Sequence, residues 1–543
     1  MKVVIIGGVA GGASCATRLR RLDESAEIVI LERGENVSYA NCGLPYFVGG
    51  KIEREEDLTV ASPAFLKRRF RIDVRVRSEA VGIDAAAKTV RVREKDGREY
   101  EESYDKLVLA PGAAAKTFGW GGEGVFTLRD VRDATGLAGY IRTHGVKTAL
   151  VAGGGFIGVE TAENLLRAGL SVTLAEFAPQ LLPPLDPELA VMLSDELKKA
   201  GADVRTGTGV KSIGRADGAL DVAFTDGTAG KFGIAVLALG VSPETSLAKS
   251  AGAAIAADGG IAVDGLMRTS LPDVYAAGDA VSVLGADGRE TLVPLAGPAN
   301  RQGRSIADNI AGGASSNGRQ VLGASVAKVC SLTAASVGLN EKQLKKAGTD
   351  YRKIYSFPFS HATYYPGATQ MVCKLLFAPD GRVLGAQAVG ADNVEKQIDV
   401  IAAAMKFGGT VRDLAQMELC YAPPYNSAKS PVNMMGFIAS NLLDGLAPTV
   451  YAESIPKECA VLDVRTPQEF AAGHIDGSFN IPLDELRDRL SEVPQGRPLA
   501  VTCAVGLRGY LAVRILLAHG FDARNLSGGF RMYTLTKKAG LIK

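Results

Sequence analysis

The chain opens on an apolar run, Lys2–Ile6, too short for a helix and β-branched through most of its length, which predicts a strand buried on both faces of a parallel sheet. Glycines 7, 8, 11 and 12 punctuate a tight turn, residues 13–22 carry helical spacing, and Ile28–Leu31 is a second buried strand ending in Glu32. The pattern then recurs. Thr148–Ala152 is a strand, a glycine-rich turn runs from Gly153 to Gly158, residues 159–168 are helical, and the strand over 171–175 ends in Glu176. Residues 104–110 read as a strand running into Pro111-Gly112, and residues 271–280 as a strand ending in Gly278-Asp279. Further strands fall at 324–330 and 372–377, followed by a helix over 395–407. Beyond residues 441–449 the character changes: strands at 461–464 and 499–502, the latter delivering Cys503 into a short loop ahead of a helix over 510–519.

Each strand–turn–helix–strand–acid unit has a chemical reading. Small residues let the backbone approach a pyrophosphate at a helix N-terminus, and the carboxylate accepts ribose hydroxyls. In the first unit the residues are Gly7, Gly8, Gly12 and Glu32, with Val9 where the usual pattern has glycine; a generic turn without ligand stays open for this unit alone. The second unit is a full G-x-G-x-x-G, with Gly153, Gly155, Gly158 and Glu176. Two such units imply two dinucleotides. Glu176 repels a 2′-phosphate and no arginine follows it within 177–179, which favours NADH over NADPH. Asp279 admits two readings, a ligand to the ribityl hydroxyls of a flavin or a solvated turn acid.

Between the first unit and the rest lies Ser38–Tyr46, where a lone Cys42 sits among small residues in a turn closed by Pro45. No second cysteine follows nearby, so this is not a local dithiol. Cys42 is either an inert small hydrophobe or a nucleophilic thiolate whose pKa is lowered beside a redox cofactor.

Composition narrows the class. A chain of 543 residues is too long for one core, and its 47% hydrophobic and 22% charged content is that of a globular protein. A net charge of +2 argues for neither nucleic acid nor a membrane surface as partner. Seven irregularly spaced cysteines read as reduced thiols in a cytoplasmic setting. Residues 1–16 mimic a short signal peptide, but their glycines break the apolar stretch and the strand–turn–helix reading explains them better.

The order of these signals, with Leu109-Ala110-Pro111-Gly112 and Tyr275-Ala276-Ala277-Gly278-Asp279 between them, resembles the two-dinucleotide-fold flavoprotein disulfide reductases over residues 1–440. The single cysteine in Ser38–Tyr46 resembles the branch containing coenzyme A disulfide reductase, NADH oxidase and NADH peroxidase. Val9 recurs in the coenzyme A branch; Pro111 stands where threonine is common. The resemblance implies FAD and NADH as cofactors and adds Arg33, Gly112, Ala296 and Glu160 to the cofactor-binding set. It implies a homodimer in which a tyrosine from each of two clusters, Tyr365 or Tyr364 and Tyr425, reaches the other subunit's Cys42. It also makes Arg18, Arg21, Lys67 and Arg68 candidates for the phosphates of coenzyme A, with Ser38 and Asn41 at its thiol end.

The tail, from Arg465-Thr466-Pro467-Gln468-Glu469-Phe470 through His474 to Cys503-Ala504-Val505-Gly506-Leu507-Arg508, resembles a rhodanese domain. Backbone N–H groups converging ahead of a helix would hold an anionic thiolate or persulfide on Cys503, with Arg508 adding charge. His474 reads as a structural turn residue.

The expected fold class is α/β: two Rossmann-like FAD/NAD(P)-binding domains, an α+β dimerisation domain and a C-terminal α/β rhodanese domain. The expected boundaries are 1–111 and 241–321 (FAD), 112–240 (NADH), 322–440 (dimerisation), 441–449 (linker) and 450–543 (rhodanese). The expected activity is NADH-dependent reduction of coenzyme A persulfide, polysulfide or coenzyme A disulfide through Cys42, with Cys503 carrying sulfane sulfur and no metal. The rivals are a plain coenzyme A disulfide reductase, an NADH oxidase or peroxidase working through a Cys42 sulfenic acid, and a tail that docks without turnover.

Overall fold

The computed structural model describes residues 1–315 and 318–543. They form two compact units, residues 1–179 with 201–323 and residues 180–200 with 324–543.

The first unit holds two five-stranded parallel sheets. In one, the order is Val274–Ala276, Lys106–Leu109, Lys2–Ile6, Glu27–Leu31, Asp73–Arg75. In the other it is Asp203–Thr206, Ser171–Glu176, Thr148–Ala152, Ile234–Leu237, Val125–Phe126. The apolar runs occupy central strands because both faces are covered: Ile5, Ile28 and Ile30 are at most 1% exposed, each worth about 1.5–3 kcal/mol of burial. The helix Ala10–Leu22 follows the first strand and packs along Ala296–Ile310 so closely that a Cβ on Gly303 would stand 2.1 Å from the Gly11 carbonyl oxygen.

Three local expectations change. The first helix begins at Ala10, before the expected residue 13. The strand expected over 271–280 shortens to Val274–Ala276, because Pro272 lacks an N–H and Asp273 takes a left-handed φ of 63°, with Gly278–Ala280 forming a 3-10 turn beyond it. Pro45 does not close a turn: it lies in the first turn of a helix, Leu44–Val48, where its missing N–H costs nothing.

The second unit holds an antiparallel sheet ordered Ser325–Val329, Leu332–Gly338, Val383–Gly390, Val372–Phe377, Arg352–Ser356, and a parallel one ordered Thr449–Val450, Ala523–Leu526, Leu499–Thr502, Ala460–Asp463, Phe479–Asn480. The helix Pro187–Lys199 packs on the antiparallel sheet, whose strands Val372–Phe377 and Val383–Gly390 are buried on both faces.

That burial traps a cation. Lys374, 0% exposed, meets Asp186 at 2.8 Å, Glu341 at 2.6 Å and Glu188. Tyr355 donates to Glu188 (2.7 Å), Gln387 to Asp186 (2.7 Å), and Lys353 meets Glu341 (3.0 Å) as well as Glu453. The lysines hold the Glu341 carboxyl far below the usual range despite its burial. Three carboxylates converge closely enough to hold a metal ion, and the cation among them is a lysine ammonium.

Candidate active site

Strand ends bring the glycine-rich turns of the first unit to their positions. After Lys2–Ile6 the chain reverses at Gly7 (φ 96°), whose carbonyl oxygen would lie 1.9 Å from any Cβ on Gly12. The second turn repeats this crossing with Gly153 (φ 106°) and Gly158. Each acid closes its turn from the neighbouring strand. Glu32 accepts from the Gly8 N–H (3.0 Å) and the Gly34 N–H (2.8 Å), and Glu176 from the Gly154 N–H (2.5 Å) and the Ala178 N–H (2.7 Å).

These turns fit dinucleotides. Neither following helix, Ala10–Leu22 nor Phe156–Arg167, has a side-chain cap on its N-terminal N–H groups. At Gly155 a Cβ would meet nothing within 4 Å among the described residues, which leaves the space a phosphate needs. Gly112, with φ 75°, has only the Arg129 guanidinium near its Cβ position. Arg129 also donates to the Ala113 carbonyl (2.8 Å) and pairs with Asp279 (2.8 Å). Asp279 is thus a partnered acid, and Arg129 is a site residue that the motifs did not announce. Its only local signal is its place just before Asp130, the N-cap of the helix Val131–His144.

Cys42 lies in the 3-10 turn Asn41–Gly43 and is exposed. The helix Leu44–Val48 packs on Phe156–Arg167, with Gly49 pressed so close to Asn164 that a Cβ would meet its Oδ1 at 2.4 Å. This contact brings Cys42 near Glu160 of the helix Phe156–Arg167. It also corrects the expected electrostatics: the surroundings raise the Cys42 pKa by burial and by the Glu160 and Asp279 carboxylates, and only Arg129 opposes them. The first unit's other thiol, Cys15, offers no partner: it is buried and pushed up to about 12 by desolvation.

Glu160, beside Tyr46, is pushed up to about 7 by burial, with Glu163 adding to the shift and the Tyr46 hydroxyl opposing it. A carboxyl raised above its ordinary 4.5 keeps its proton in the folded state while the unfolded chain loses it. Its cost to stability therefore grows between pH 4.5 and 7 and is full above that. In cofactor-free protein, Glu160→Gln is expected to leave thermal stability at pH 4 unchanged and to raise it at pH 8 by about 1–2 kcal/mol, allowing for partial exposure. Thermal unfolding at the two pH values measures this.

The remaining predicted residues are distributed as follows. Ser38 adopts a left-handed φ of 46° and donates its N–H to the Gly8 carbonyl (2.8 Å). Arg33 pairs with Glu244 at 3.3 Å, and Ala296 opens the helix Ala296–Ile310. Arg18, in the helix Ala10–Leu22, is engaged by Asp308 at 2.7 Å, Arg21 lies in the last turn of Ala10–Leu22, and Lys67 and Arg68 lie in the last turn of Pro63–Phe70. In the second unit, Tyr365 and Tyr425 are 44% and 67% exposed, and Tyr364 bonds its hydroxyl to that of Tyr421.

Cys503 follows the strand Leu499–Thr502 and is 1% exposed. The Gly506 N–H donates to its Sγ (3.1 Å), and the helix Leu507–Ala518 starts directly after Gly506, three residues earlier than expected. The N–H groups of Phe530 (2.7 Å) and Arg531 (3.0 Å) hold the Cys503 and Ala504 carbonyls. Arg508 is bound by both Glu469 oxygens at 2.7 Å. His474 stacks on Phe470 at 4.0 Å and bonds its backbone carbonyl, as a structural residue does.

A thiol in the same unit as two dinucleotide-type turns marks the class of nucleotide-dependent thiol oxidoreductases. Comparison with known proteins agrees in detail. Residues 1–303 match the family model of the pyridine nucleotide-disulphide oxidoreductases, 324–431 the dimerisation domain of those enzymes, and 447–535 the rhodanese-like domain. The coenzyme A disulfide reductase of Staphylococcus haemolyticus is 35% identical over 446 residues, 81% of this chain and all of that one. The crystal structure of reduced Bacillus anthracis CoADR-RHD is 44% identical with a TM-score of 0.97, covering 99% of this chain and 98% of that one. A NAD-dependent persulfide reductase from A. fulgidus is 37% identical with a TM-score of 0.92, covering 98% and 100%. The chain belongs to the pyridine nucleotide-disulphide oxidoreductase family, an enzyme using FAD and NADH with a rhodanese domain at its C-terminus.

Proposed function

We propose that this enzyme reduces coenzyme A persulfide or polysulfide, and coenzyme A disulfide, at the expense of NADH, with Cys42 as the sulfur that meets substrate and Cys503 as a carrier of sulfane sulfur. The observation that carries the reading is the isolation of Cys42. It is exposed beside the NADH-side helix, and the first unit's other cysteine, Cys15, is buried and inert. With no second thiol of the first unit to pair with it, we read its oxidised form as a mixed disulfide with the substrate thiol, a sulfenic acid being the oxidase or peroxidase alternative.

In the disulfide reaction the Cys42 thiolate attacks one sulfur of coenzyme A disulfide, the S–S bond breaks, and one coenzyme A thiolate leaves. Two electrons from NADH then cleave the Cys42–coenzyme A disulfide, returning both thiolates with NAD⁺ and a proton. Bound FAD supplies the electron path between nicotinamide and sulfur. With coenzyme A persulfide the Cys42 thiolate attacks the inner sulfur, the S–S bond breaks, hydrosulfide departs, and the same Cys42–coenzyme A disulfide forms. With polysulfide it attacks the terminal sulfur, a shortened polysulfide leaves, and the Cys42 persulfide is cleaved by the two electrons of NADH to hydrosulfide and the Cys42 thiolate. The matched dimerisation domain and the exposed Tyr365 and Tyr425 support a homodimer in which these hydroxyls protonate the thiolate leaving the other subunit's Cys42. Arg21, Lys67 and Arg68 remain the candidates for the coenzyme A phosphates, with Ser38 and Asn41 near its thiol; Arg18 would first have to give up Asp308.

Mass spectrometry of the purified protein tests the scheme, with coenzyme A expected on Cys42 and an added sulfur on Cys503. Cys503→Ser should lose sulfur transfer by about 10³-fold and keep NADH-driven flavin reduction. Loss of both would rule out a separable carrier. Steady NADH consumption with oxygen or peroxide alone would favour an oxidase or peroxidase.

A further inference from the structure

The loop that presents Cys503 contains one arginine, and its charge is already taken. Arg508 lies in the first turn of Leu507–Ala518, close enough to Cys503 to feel its charge, though Glu469 is its main partner. Both its terminal nitrogens are bound by Glu469 at 2.7 Å, a fork-on-fork pair. Glu469 is itself built in place. It is the third residue of the helix Pro467–Ala471, where its carboxylate accepts the Thr466 N–H (3.0 Å) while its own N–H donates to the Thr466 hydroxyl (3.2 Å). Arg508 holds this carboxyl down at about 2, so the pair stays ionised and neutral overall at any working pH. The other charges around the loop are also committed: Asp463 is held by Arg465, and Arg531 turns to Gln370 and the Phe357 ring.

We infer that Glu469 sets the donor preference of Cys503, selecting organic persulfides, whose leaving group is a singly charged thiolate, over thiosulfate, whose leaving group is sulfite. This rests on Cys503 being a sulfur carrier. In both reactions the Cys503 thiolate attacks the outer sulfur and forms Cys503–S–S⁻. The bond to that sulfur's neighbour breaks, and its electron pair departs on a thiolate or on the sulfite dianion. The dianion needs a cation that can rebind as the charge moves on to it, and a guanidinium chelated by a capped carboxylate does not turn to it. A thiolate leaving group asks for less, and the Gly506 N–H already serves the loop sulfur at 3.1 Å.

The test uses the full-length holoenzyme with thiosulfate and with glutathione persulfide, reading sulfur added to the Cys503 peptide by mass spectrometry. Glu469→Gln keeps an acceptor for the Thr466 N–H and removes the charge. It is expected to raise kcat/KM for loading from thiosulfate about tenfold and to change persulfide loading less than about twofold. Thr466→Ala, which breaks the cap and keeps the charge, should leave the donor ratio unchanged. An unchanged donor ratio in Glu469→Gln, or the same change in Thr466→Ala, overturns the inference alone. No sulfur on Cys503 from either donor in either form overturns the carrier reading and the inference with it.

Discussion

Replacing Cys42 with serine is expected to lower NADH-dependent turnover of coenzyme A disulfide and persulfide by about 10³-fold or more, while FAD stays bound and is still reduced by NADH. The size follows from the chemistry. A hydroxyl is far less ionised and less nucleophilic toward sulfur than a thiol, and no neighbouring thiol can substitute, since Cys15 is buried with its pKa near 12. The retained flavin reduction follows from geometry. Gly7, Gly12, Gly153 and Gly158 shape the two cradles through backbone crossings, and Cys42 touches neither crossing. Steady-state turnover set beside anaerobic flavin bleaching separates the two halves. Near-normal turnover in the serine variant would mean that the sulfur chemistry occurs elsewhere.

The second large effect concerns stability. Lys374→Met should destabilise the protein by about 3–5 kcal/mol, because it leaves Asp186, Glu188 and Glu341 buried around a side chain without charge. Lys353 still meets Glu341, and Tyr355 and Gln387 still donate to Glu188 and Asp186, so the loss is confined to the missing ammonium. The pH dependence has a definite sign. Without Lys374 the carboxylates take up protons more readily, and protonation removes the unpaired charge; the deficit should therefore be larger at pH 8 than at pH 5. Denaturant unfolding of both forms at the two pH values measures it. A deficit independent of pH would mean that Lys374 acts through packing alone.

Much of the fold was legible because its signals are local. The run Lys2–Ile6 and the glycines after it need no distant partner to be recognised: a β-branched segment followed by small residues has few other uses. The same holds for Thr148–Ala152 and its turn. Element ends were less legible. The helix after Cys503 starts at Leu507 because Gly506 takes φ 102°, and the strand near Asp279 stops short because Asp273 is left-handed, details that hydrophobic spacing does not encode. The Thr466–Glu469 capping box was readable as a cap, but its bond to Arg508, thirty-nine residues on, was not.

The sequence by itself determined the two nucleotide-binding units, the solitary Cys42 and the sulfur loop at Cys503, since each is written in contiguous residues whose backbone requirements are met within a few positions. Only the tertiary structure decided the charges. Arg129 meets Asp279 across 150 residues, Glu160 meets Tyr46 across a helix packing, and Lys374 meets acids from two other segments. Electrostatic energy depends on distance in space and on burial, and neither is a property of neighbouring letters in the chain.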